Sequence, residues 1–139
     1  MDDINKFLQE YNQAVIAGDI DKIASNFHDQ FVLSTPTELW HLTNNDEFRS
    51  NLITVFSDYI QLGAKECRIL SSKIIHFKSS HYMANIGWGL IDHENKPIVK
   101  FDISYCIKKI GGLWKYIFVI DHNEKDRIDL YRKYKFQQA

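Results

Sequence analysis

Residues 7–29 read FLQEYNQAVIAGDIDKIASNFHD, a stretch with two apolar stripes in succession. Up to Ala17, apolar side chains recur at the three-and-four spacing of an amphipathic helix, and Gly18 is a suitable residue to end it. Asp19 is a good N-cap for a second, shorter helix. The stretch therefore predicts two helices that pack by their apolar stripes, with a bend between them.

The rest of the chain adds one more helix and a series of strands. After a strand over 31–35 and a short partner strand over 39–42, a third helix begins at Asn44 or Asn45. From Cys67 onward, apolar residues recur with the period of two that is typical of half-buried strands. The predicted long strands are 67–77, 81–91, 98–109 and 113–121.

Helices that precede a run of antiparallel strands indicate an α+β fold. In such a fold a strongly curved antiparallel sheet wraps around the three N-terminal helices and forms a cone with an open end. We expect a single domain over residues 1–139, with its core over 4–122. Residues 123–139 turn polar, and they are expected to form a C-terminal tail or a short helix.

The composition is that of an ordinary globular protein, with 45% apolar, 25% charged and 14% aromatic residues. It excludes disordered and low-complexity classes, and so large an aromatic share either fills a core or lines a pocket. No apolar run is long enough to span a membrane and the first residues are acidic, so we expect a cytoplasmic protein without a membrane partner. Cys67 and Cys106 are too far apart for a metal or redox pair and are expected to be buried, reduced thiols.

Charge is segregated along the chain. Residues 1–64 have 3 basic and 10 acidic side chains, whereas residues 65–139 have 14 basic and 8 acidic ones. The basic residues of the second half stand singly between apolar residues, as solvent-facing strand positions do, so we expect no nucleic-acid partner. The six histidines lack metal-binding spacing and no phosphate-binding glycine motif is present, so neither a metal nor a cofactor is expected.

Short motifs give the chain a family resemblance. Ala-Gly-Asp at 17–19 and Phe-His-Asp at 27–29 are followed by the strand at 31–35, in the order helix, turn, helix, strand. With this order the chain resembles, over residues 4–122, the nuclear transport factor 2-like superfamily, which includes SnoaL-like polyketide cyclases and ketosteroid isomerase. Gly-Leu-Trp-Lys at 112–115 is similar to the family's Gly-Trp-Lys turn, with one residue inserted. The resemblance implies the cone fold and leaves the activity open, because the superfamily hosts enzymes, transport factors and association domains.

The resemblance to ketosteroid isomerase implies roles for particular positions. Tyr11 corresponds to a tyrosine of that enzyme's oxyanion hole, where the hydroxyl donates to a developing enolate; the alternative is that Tyr11 only packs in the core. The general base corresponds to Thr35, which cannot take a proton at neutral pH, so we expect no ketosteroid isomerase activity. The second oxyanion acid corresponds to Asp102 or Ser104, and for Asp102 the alternative is a place on the polar outer face of its strand.

Further side chains have the chemistry for acid–base catalysis. They are His41, His76, His122, Asp58 and Asp121. Neighbouring residues of a strand point to opposite faces, so Asp121 and His122 cannot both reach one ligand. Strict alternation puts His122 on the same face as Trp114 and Tyr116, although a rim histidine without function is the alternative. We therefore predict Tyr11 as the hydrogen-bond donor and Asp102 or His122 as the titrating group.

The wall of the expected cavity is aromatic. Beside Tyr11, the predicted ligand-binding residues are Thr35, Trp40, Phe56, Tyr59 and Trp88. An aromatic wall selects flat apolar molecules, so we predict that the cavity binds a small apolar or aromatic molecule. If the protein is an enzyme, we expect cofactor-free isomerase, cyclase or dehydratase chemistry. The alternative is a non-catalytic ligand-binding or protein-association module, which a cavity plugged by Trp40 or Tyr59 would favour.

The predicted outer face of the sheet carries apolar residues as well as polar ones. Strand alternation places Ile91, Ile117 and Val119 on it. A face that only meets water does not favour such side chains. Members of the resembled superfamily commonly pair through this face, so we expect a homodimer.

Overall fold

The structure is a computed structural model that describes residues 2–78 and 80–138. The elements in chain order are α1 (Asp2–Ala17), α2 (Ile20–Ser25), β1 (Phe27–Ser34), β2 (Leu39–Thr43), α3 (Asp46–Gln61), β3 (Ala64–Phe77), β4 (His81–Asp92), β5 (Pro97–Ile110), β6 (Leu113–Asp121) and α4 (Glu124–Gln138). Each predicted helix and strand is present, with ends that differ by a few residues from those expected. Met1, Ser79 and Ala139 lie outside the described residues.

The helices begin and end at the residues whose chemistry predicts it. Asp19 caps α2 by accepting a hydrogen bond of 3.3 Å from the backbone N–H of Lys22, and Asn45 caps α3 by accepting one of 3.0 Å from that of Phe48. After α1 the chain turns at Gly18 with a φ of +65°, which glycine adopts without strain. The buried stripe of α1 consists of Ile4, Leu8, Tyr11, Ala14 and Val15.

The six strands form one curved sheet in the order β2-β1-β6-β5-β4-β3. The pairing of β1 with β6 is parallel, and the other neighbours are antiparallel. The sheet curves around the N-terminal helices, with α1 and α3 packed against β3, while α4 packs on β5. The predicted α+β class is confirmed. None of the helices in the described part of the chain has both the length and the apolarity to cross a membrane.

Two glycines of β4 make room for a bulge in β3. The register shifts between Ile69 and Ser71, so Leu70 is an extra residue in β3 and lies over Gly89. A Cβ atom at Gly89 would stand only 2.5 Å from Cδ1 of Leu70, and one at Gly87 would collide with the Ser71 hydroxyl. The glycines therefore permit a close approach of two strands where the sheet bends.

A second irregularity lies in β6 and reverses the faces of its last residues. Tyr116 is paired with Ile107, but Phe118 is paired with Cys106, so Ile117 is an extra residue in β6. Strict alternation fails at this point, because one extra residue moves every later side chain to the opposite face. The prediction that His122 shares a face with Tyr116 was therefore wrong.

Of the residues predicted for the outer, convex face, Ile117 and Val119 are affected by this shift, whereas Ile91 of β4 is buried independently of it. Val119 turns to the concave side beside Tyr105, and Ile91 is fully buried. Ile117 is half-buried. Phe118 and Ile120, which follow the extra residue, take the convex positions instead. The convex face is thus apolar at positions other than those expected.

Residues 124–138 form the helix α4 rather than a tail. Ile128 belongs to the buried core, which therefore extends beyond residue 122. At the far end of the helix, Nζ of Lys135 donates a hydrogen bond of 3.1 Å to the carbonyl of Leu62, at the end of α3. The helix is held against the cone at both of its ends, and its first residue, Glu124, enters the cavity described next.

Candidate functional site

A cavity of about 250 Å³ lies between α1, α3 and the concave face of the sheet. Its wall is mostly apolar and rich in aromatic side chains, among them Phe27, Phe31, Phe48, Phe56, Trp88 and Phe101. The side chains that bring polar atoms to it are Tyr11, Tyr59, Cys67, Tyr105, Asp121 and Glu124. Among the residues that the structure describes, no Lys, Arg or His lines this cavity. The site is therefore an apolar pocket with phenols, a thiol and two carboxyl groups.

A hydrogen-bonded relay runs from the sheet to α1. The indole N–H of Trp88 donates a hydrogen bond of 3.0 Å to the hydroxyl oxygen of Tyr105, and the Tyr105 hydroxyl is hydrogen-bonded to that of Tyr11. Desolvation by burial raises the pKa of Tyr11, and the hydrogen bond from Tyr105 opposes that shift. An indole N–H can only donate, which fixes the direction of the first bond. The second bond lowers the pKa of Tyr11 and raises that of Tyr105, the pattern of a bond that Tyr105 donates to Tyr11, so the relay runs from Trp88 towards Tyr11.

Glu124 is the titrating group of the cavity. Its Oε2 accepts a hydrogen bond of 2.8 Å from the hydroxyl of Tyr59 on α3. Desolvation of the carboxyl group, assisted by the nearby charge of Asp121, raises the pKa of Glu124 to about 7. Glu124 therefore exchanges a proton in the neutral range, whereas an ordinary glutamate is ionised there. The same carboxyl group contributes to the raised pKa of Tyr11, which places the two side chains within electrostatic reach.

Asp121 lies beside Glu124 and orients it. Its Oδ1 accepts a hydrogen bond of 3.0 Å from the backbone N–H of Glu124, the first residue of α4, and so ties the start of the helix to the end of β6. Desolvation raises the pKa of Asp121, although the backbone N–H groups of Glu124 and Asn123 oppose the shift. Asp121 is only partly buried and thus stands between the cavity and the surrounding water.

Cys67 lies on the β3 side of the cavity. Burial raises the pKa of its thiol well above the ordinary value, so the group remains a thiol at neutral pH. Cys67 is buried as expected, whereas Cys106 is only partly buried, and both are free of a disulfide bond. In residues 2–78 and 80–138, no group of three or more His, Cys, Asp or Glu side chains is arranged to hold a metal ion.

Some of the residues predicted for the cavity wall lie on it. Tyr11, Phe56, Tyr59 and Trp88 all line the cavity. Thr35 does not: its hydroxyl accepts a hydrogen bond of 3.0 Å from the backbone N–H of Glu38 and closes the turn between β1 and β2. Trp40 does not line the cavity either: it lies on the edge strand β2 and is 50% exposed.

The two predicted titrating groups lie on the convex face, away from the cavity. Asp102 is exposed and accepts a hydrogen bond of 3.1 Å from the side-chain amide of Asn123. His122 follows the extra residue of β6, and its Nε2 lies 2.8 Å from Oγ of Ser104. Their places in the cavity are taken by Asp121 and Glu124.

Sequence reasoning missed Glu124 and set Asp121 aside. The available signal was the spacing of the two residues, since an Asp followed three residues later by Glu is typical of a helix N-terminus. That pattern places the start of a helix after Asp121 and brings Glu124 into its first turn, next to the end of β6. Residues 123–139 were expected to form a polar tail or a short helix outside the core, so Glu124 was not considered for the cavity.

Solved structures of low sequence identity have the same fold. An NTF-2 like protein of unknown function from Shewanella oneidensis MR-1 is 19% identical with a TM-score of 0.69, over 88% of this chain and 98% of that one. A cystatin-like protein of unknown function from Nostoc punctiforme PCC 73102 is 13% identical with a TM-score of 0.66, over 86% and 87%. A ketosteroid isomerase-like protein from Erwinia carotovora atroseptica SCRI1043 is 14% identical with a TM-score of 0.64, over 86% and 92%.

At these identities the structural likeness establishes the fold alone. No curated protein matches the chain. A family model described as NTF2-like protein, DUF6841, matches residues 2–124, which include the whole sheet and Glu124 but not the rest of α4. The resemblance drawn from the N-terminal motifs is thereby confirmed, and the chain belongs to the NTF2-like protein family DUF6841.

Proposed function

We propose that the cone cavity binds a small apolar or aromatic carbonyl compound and moves a proton on it without a cofactor. The observation that carries this proposal is the presence of Glu124, whose pKa is about 7, in the same apolar cavity as the tyrosine relay that ends at Tyr11. A general base is most effective when its pKa lies near the working pH. One group thus takes the proton while the other stabilises the charge that develops on the oxygen.

The proposed step uses only the side chains of this chain. The carboxylate of Glu124 takes a proton from the carbon next to the carbonyl group, and the electron pair of the broken C–H bond moves onto the carbonyl oxygen. The Tyr11 hydroxyl donates to that oxygen, because its own oxygen already accepts from Tyr105 and its hydrogen is left for the ligand. Glu124 then returns the proton to another carbon, which completes an isomerisation.

The size and charge of the cavity define the ligand class. A cavity of about 150 Å³ lined by apolar side chains takes up benzene. The 250 Å³ found here fits a somewhat larger molecule, such as a bicyclic aromatic compound. Asp121 and Glu124 line the cavity, and none of the described wall residues is basic, so the cavity disfavours anions. A neutral molecule with one hydrogen-bond acceptor satisfies these conditions.

The same features bear on the alternative of a non-catalytic module. A plugged cavity would favour that alternative, but Trp40 lies outside the cavity and Tyr59 occupies its wall with its hydroxyl bound to Glu124. A pocket used only for binding gains nothing from a partly desolvated carboxyl group, because desolvation of a charge costs stability. The hydrogen-bonded carboxyl group therefore supports acid–base chemistry.

Deuterium exchange tests the proposal with 2-tetralone, a bicyclic aromatic ketone. In D₂O, NMR follows the replacement of the protons next to its carbonyl group, and the protein is expected to accelerate this exchange with a rate that rises with pH through about 7, as Glu124 ionises. Glu124→Gln is expected to lower the rate by about 100-fold, which is typical of removing a general base. Tyr11→Phe is expected to lower it by about 100-fold, which is typical of removing an oxyanion donor.

Asp102→Asn and His122→Ala are matched controls on the convex face. Both variants are expected to exchange at the wild-type rate, because neither side chain reaches the cavity. Tryptophan fluorescence, to which Trp88 in the cavity wall contributes, measures binding of the same ketone separately. Saturable quenching without exchange above the buffer rate would support the non-catalytic module and overturn the catalytic proposal. Loss of exchange in Asp102→Asn would move the reaction to the other face of the sheet.

A further inference from the structure

A second groove, of about 820 Å³, lies outside the cone between α4 and the first half of β5. It shares no residue with the cavity that contains Glu124. Its α4 side is formed by residues beyond the family match, which ends at residue 124. The groove is therefore a feature that the family fold does not explain, and its function has to be inferred from its own side chains.

The floor of the groove is apolar and uncovered. Leu130 and Tyr134 are one helical turn apart on α4, and they are 63% and 58% exposed although they face Ile98 of β5 across the groove. Ile128, on the opposite side of α4, is buried in the core, so that side packs the helix against the cone. The stripe with Leu130 and Tyr134 is thus not needed to hold the helix in place.

The rim of the groove is positively charged. Lys100, Arg127 and Lys133 line it, and none of the three has an ion-pair partner among the described residues. Among the described residues that line the groove, Asp92 is the one carboxylate; its Oδ1 accepts hydrogen bonds of 2.9 Å from the backbone N–H groups of Glu94 and Lys96, which lower its pKa. Three cations without an ion-pair partner outnumber this single carboxylate, so the described part of the rim attracts an anion.

An apolar floor beside unpaired cations fits a molecule with an apolar body and one anionic group. An extended peptide is a poorer match, because β5 lies between β4 and β6 and has no free edge to which a strand can be added. We propose that this groove binds a free long-chain carboxylate. The head group lies between Arg127 and Lys100, and the hydrocarbon chain covers Leu130 and Tyr134.

Dodecanoate, at concentrations below micelle formation, is the probe for this site. Calorimetry measures its affinity, and NMR chemical-shift changes at the Leu130 methyl groups and the Arg127 side chain locate it. Arg127→Ala and Leu130→Ser are each expected to weaken binding at least fivefold, and added salt is expected to weaken it as well. Dodecanol, which has the same chain without the charge, is expected to bind at least fivefold more weakly than dodecanoate.

Matched controls on the same helix are Arg132→Ala and Phe136→Ser. Arg132 forms an ion pair of 3.7 Å with Asp129, Phe136 is 84% exposed, and neither residue lines the groove, so both variants are expected to bind dodecanoate like the wild type. Dodecanoate is also expected to leave the affinity for 2-tetralone unchanged, which separates this site from the cone cavity. Circular dichroism confirms that each variant keeps its helices.

Several outcomes would overturn the proposal. Equal affinity for dodecanol and dodecanoate would mean that the cations do not contribute to recognition. Equal losses in the groove variants and the control variants would place the binding site elsewhere on α4. Binding to vesicles of anionic phospholipid, without binding to monomeric dodecanoate, would mean that α4 contacts a lipid surface instead.

Discussion

Replacing Glu124 by glutamine changes the pH dependence of stability in a direction that the structure defines. The pKa of Glu124 is about 7 in the folded chain, compared with 4.5 for a glutamate in water. Between these two values the folded state holds a proton that the unfolded state has lost. Stability therefore falls as the pH rises through this window and becomes constant above it. The Glu124→Gln variant lacks this loss, so it gains stability relative to the wild type as the pH rises.

The size of the effect follows from the two pKa values. One unit of pKa difference corresponds to about 1.4 kcal/mol of differential interaction. At pH 5 the wild type has lost about 0.8 kcal/mol of its free energy of unfolding through this group, and at pH 8 about 3.3 kcal/mol. The difference in stability between variant and wild type is therefore expected to move by about 2.5 kcal/mol in favour of the variant between pH 5 and pH 8.

Urea unfolding, followed by tryptophan fluorescence at pH 5, 6, 7 and 8, measures this difference. Glu10→Gln, at an exposed position of α1, is the control for the loss of one carboxylate from the surface. Carbon-13 NMR of the Glu124 carboxyl group gives its titration directly. A change below about 0.5 kcal/mol would mean that the Glu124 carboxylate is well solvated, and the proposed proton transfer would lose its basis.

Three further predictions concern packing and assembly. Trp88→Leu enlarges the cavity and removes the hydrogen bond to Tyr105, so urea unfolding is expected to show that the free energy of unfolding falls by about 3 kcal/mol. A fall below about 1 kcal/mol would mean that the cavity collapses around the shorter side chain. Gly89→Ala is expected to lower the free energy of unfolding by about 1 kcal/mol, because the new Cβ displaces Leu70. In a Leu70→Ala background the same substitution should lower it no further; an equal loss in both backgrounds would mean that the backbone, and not Leu70, is the cause. A homodimer through the convex face is expected to give twice the 16.4 kDa monomer mass in light scattering and to dissociate in Phe118→Asp, while a wild type of monomer mass at micromolar concentration would contradict it.

The sequence was sufficient for the fold because the features that specify it are local. Apolar periodicity located α1 and α3, and the caps at Asp19 and Asn45 are formed by side chains close to the residues that they cap. The same periodicity placed Tyr11 and Trp88 on the cavity wall, since each lies in a regular element with an uninterrupted pattern.

The acid–base groups could not be predicted in the same way. The face of a residue at the end of β6 depends on whether the strand contains an extra residue, and Ile117 looks like any other strand residue in the sequence. The place of Asp102 depends on which face of β5 meets the helices, and that is a long-range property of the sheet. Thr35 was assigned through a resemblance whose matching position lies in a turn of this chain.

The extra residue in β6 also affects how relatives should be compared. In a gap-free alignment that starts at the β5–β6 turn, a relative without this residue would have its cavity-facing position matched to Ile120, although the structurally equivalent residue is Asp121. The gap-free and the structural alignment therefore assign different chemistry to the same pocket, an alkyl side chain in one and a carboxylic acid in the other. Within this family, the number of residues between the β5–β6 turn and the end of β6 should therefore be counted before a catalytic residue is transferred from one member to another.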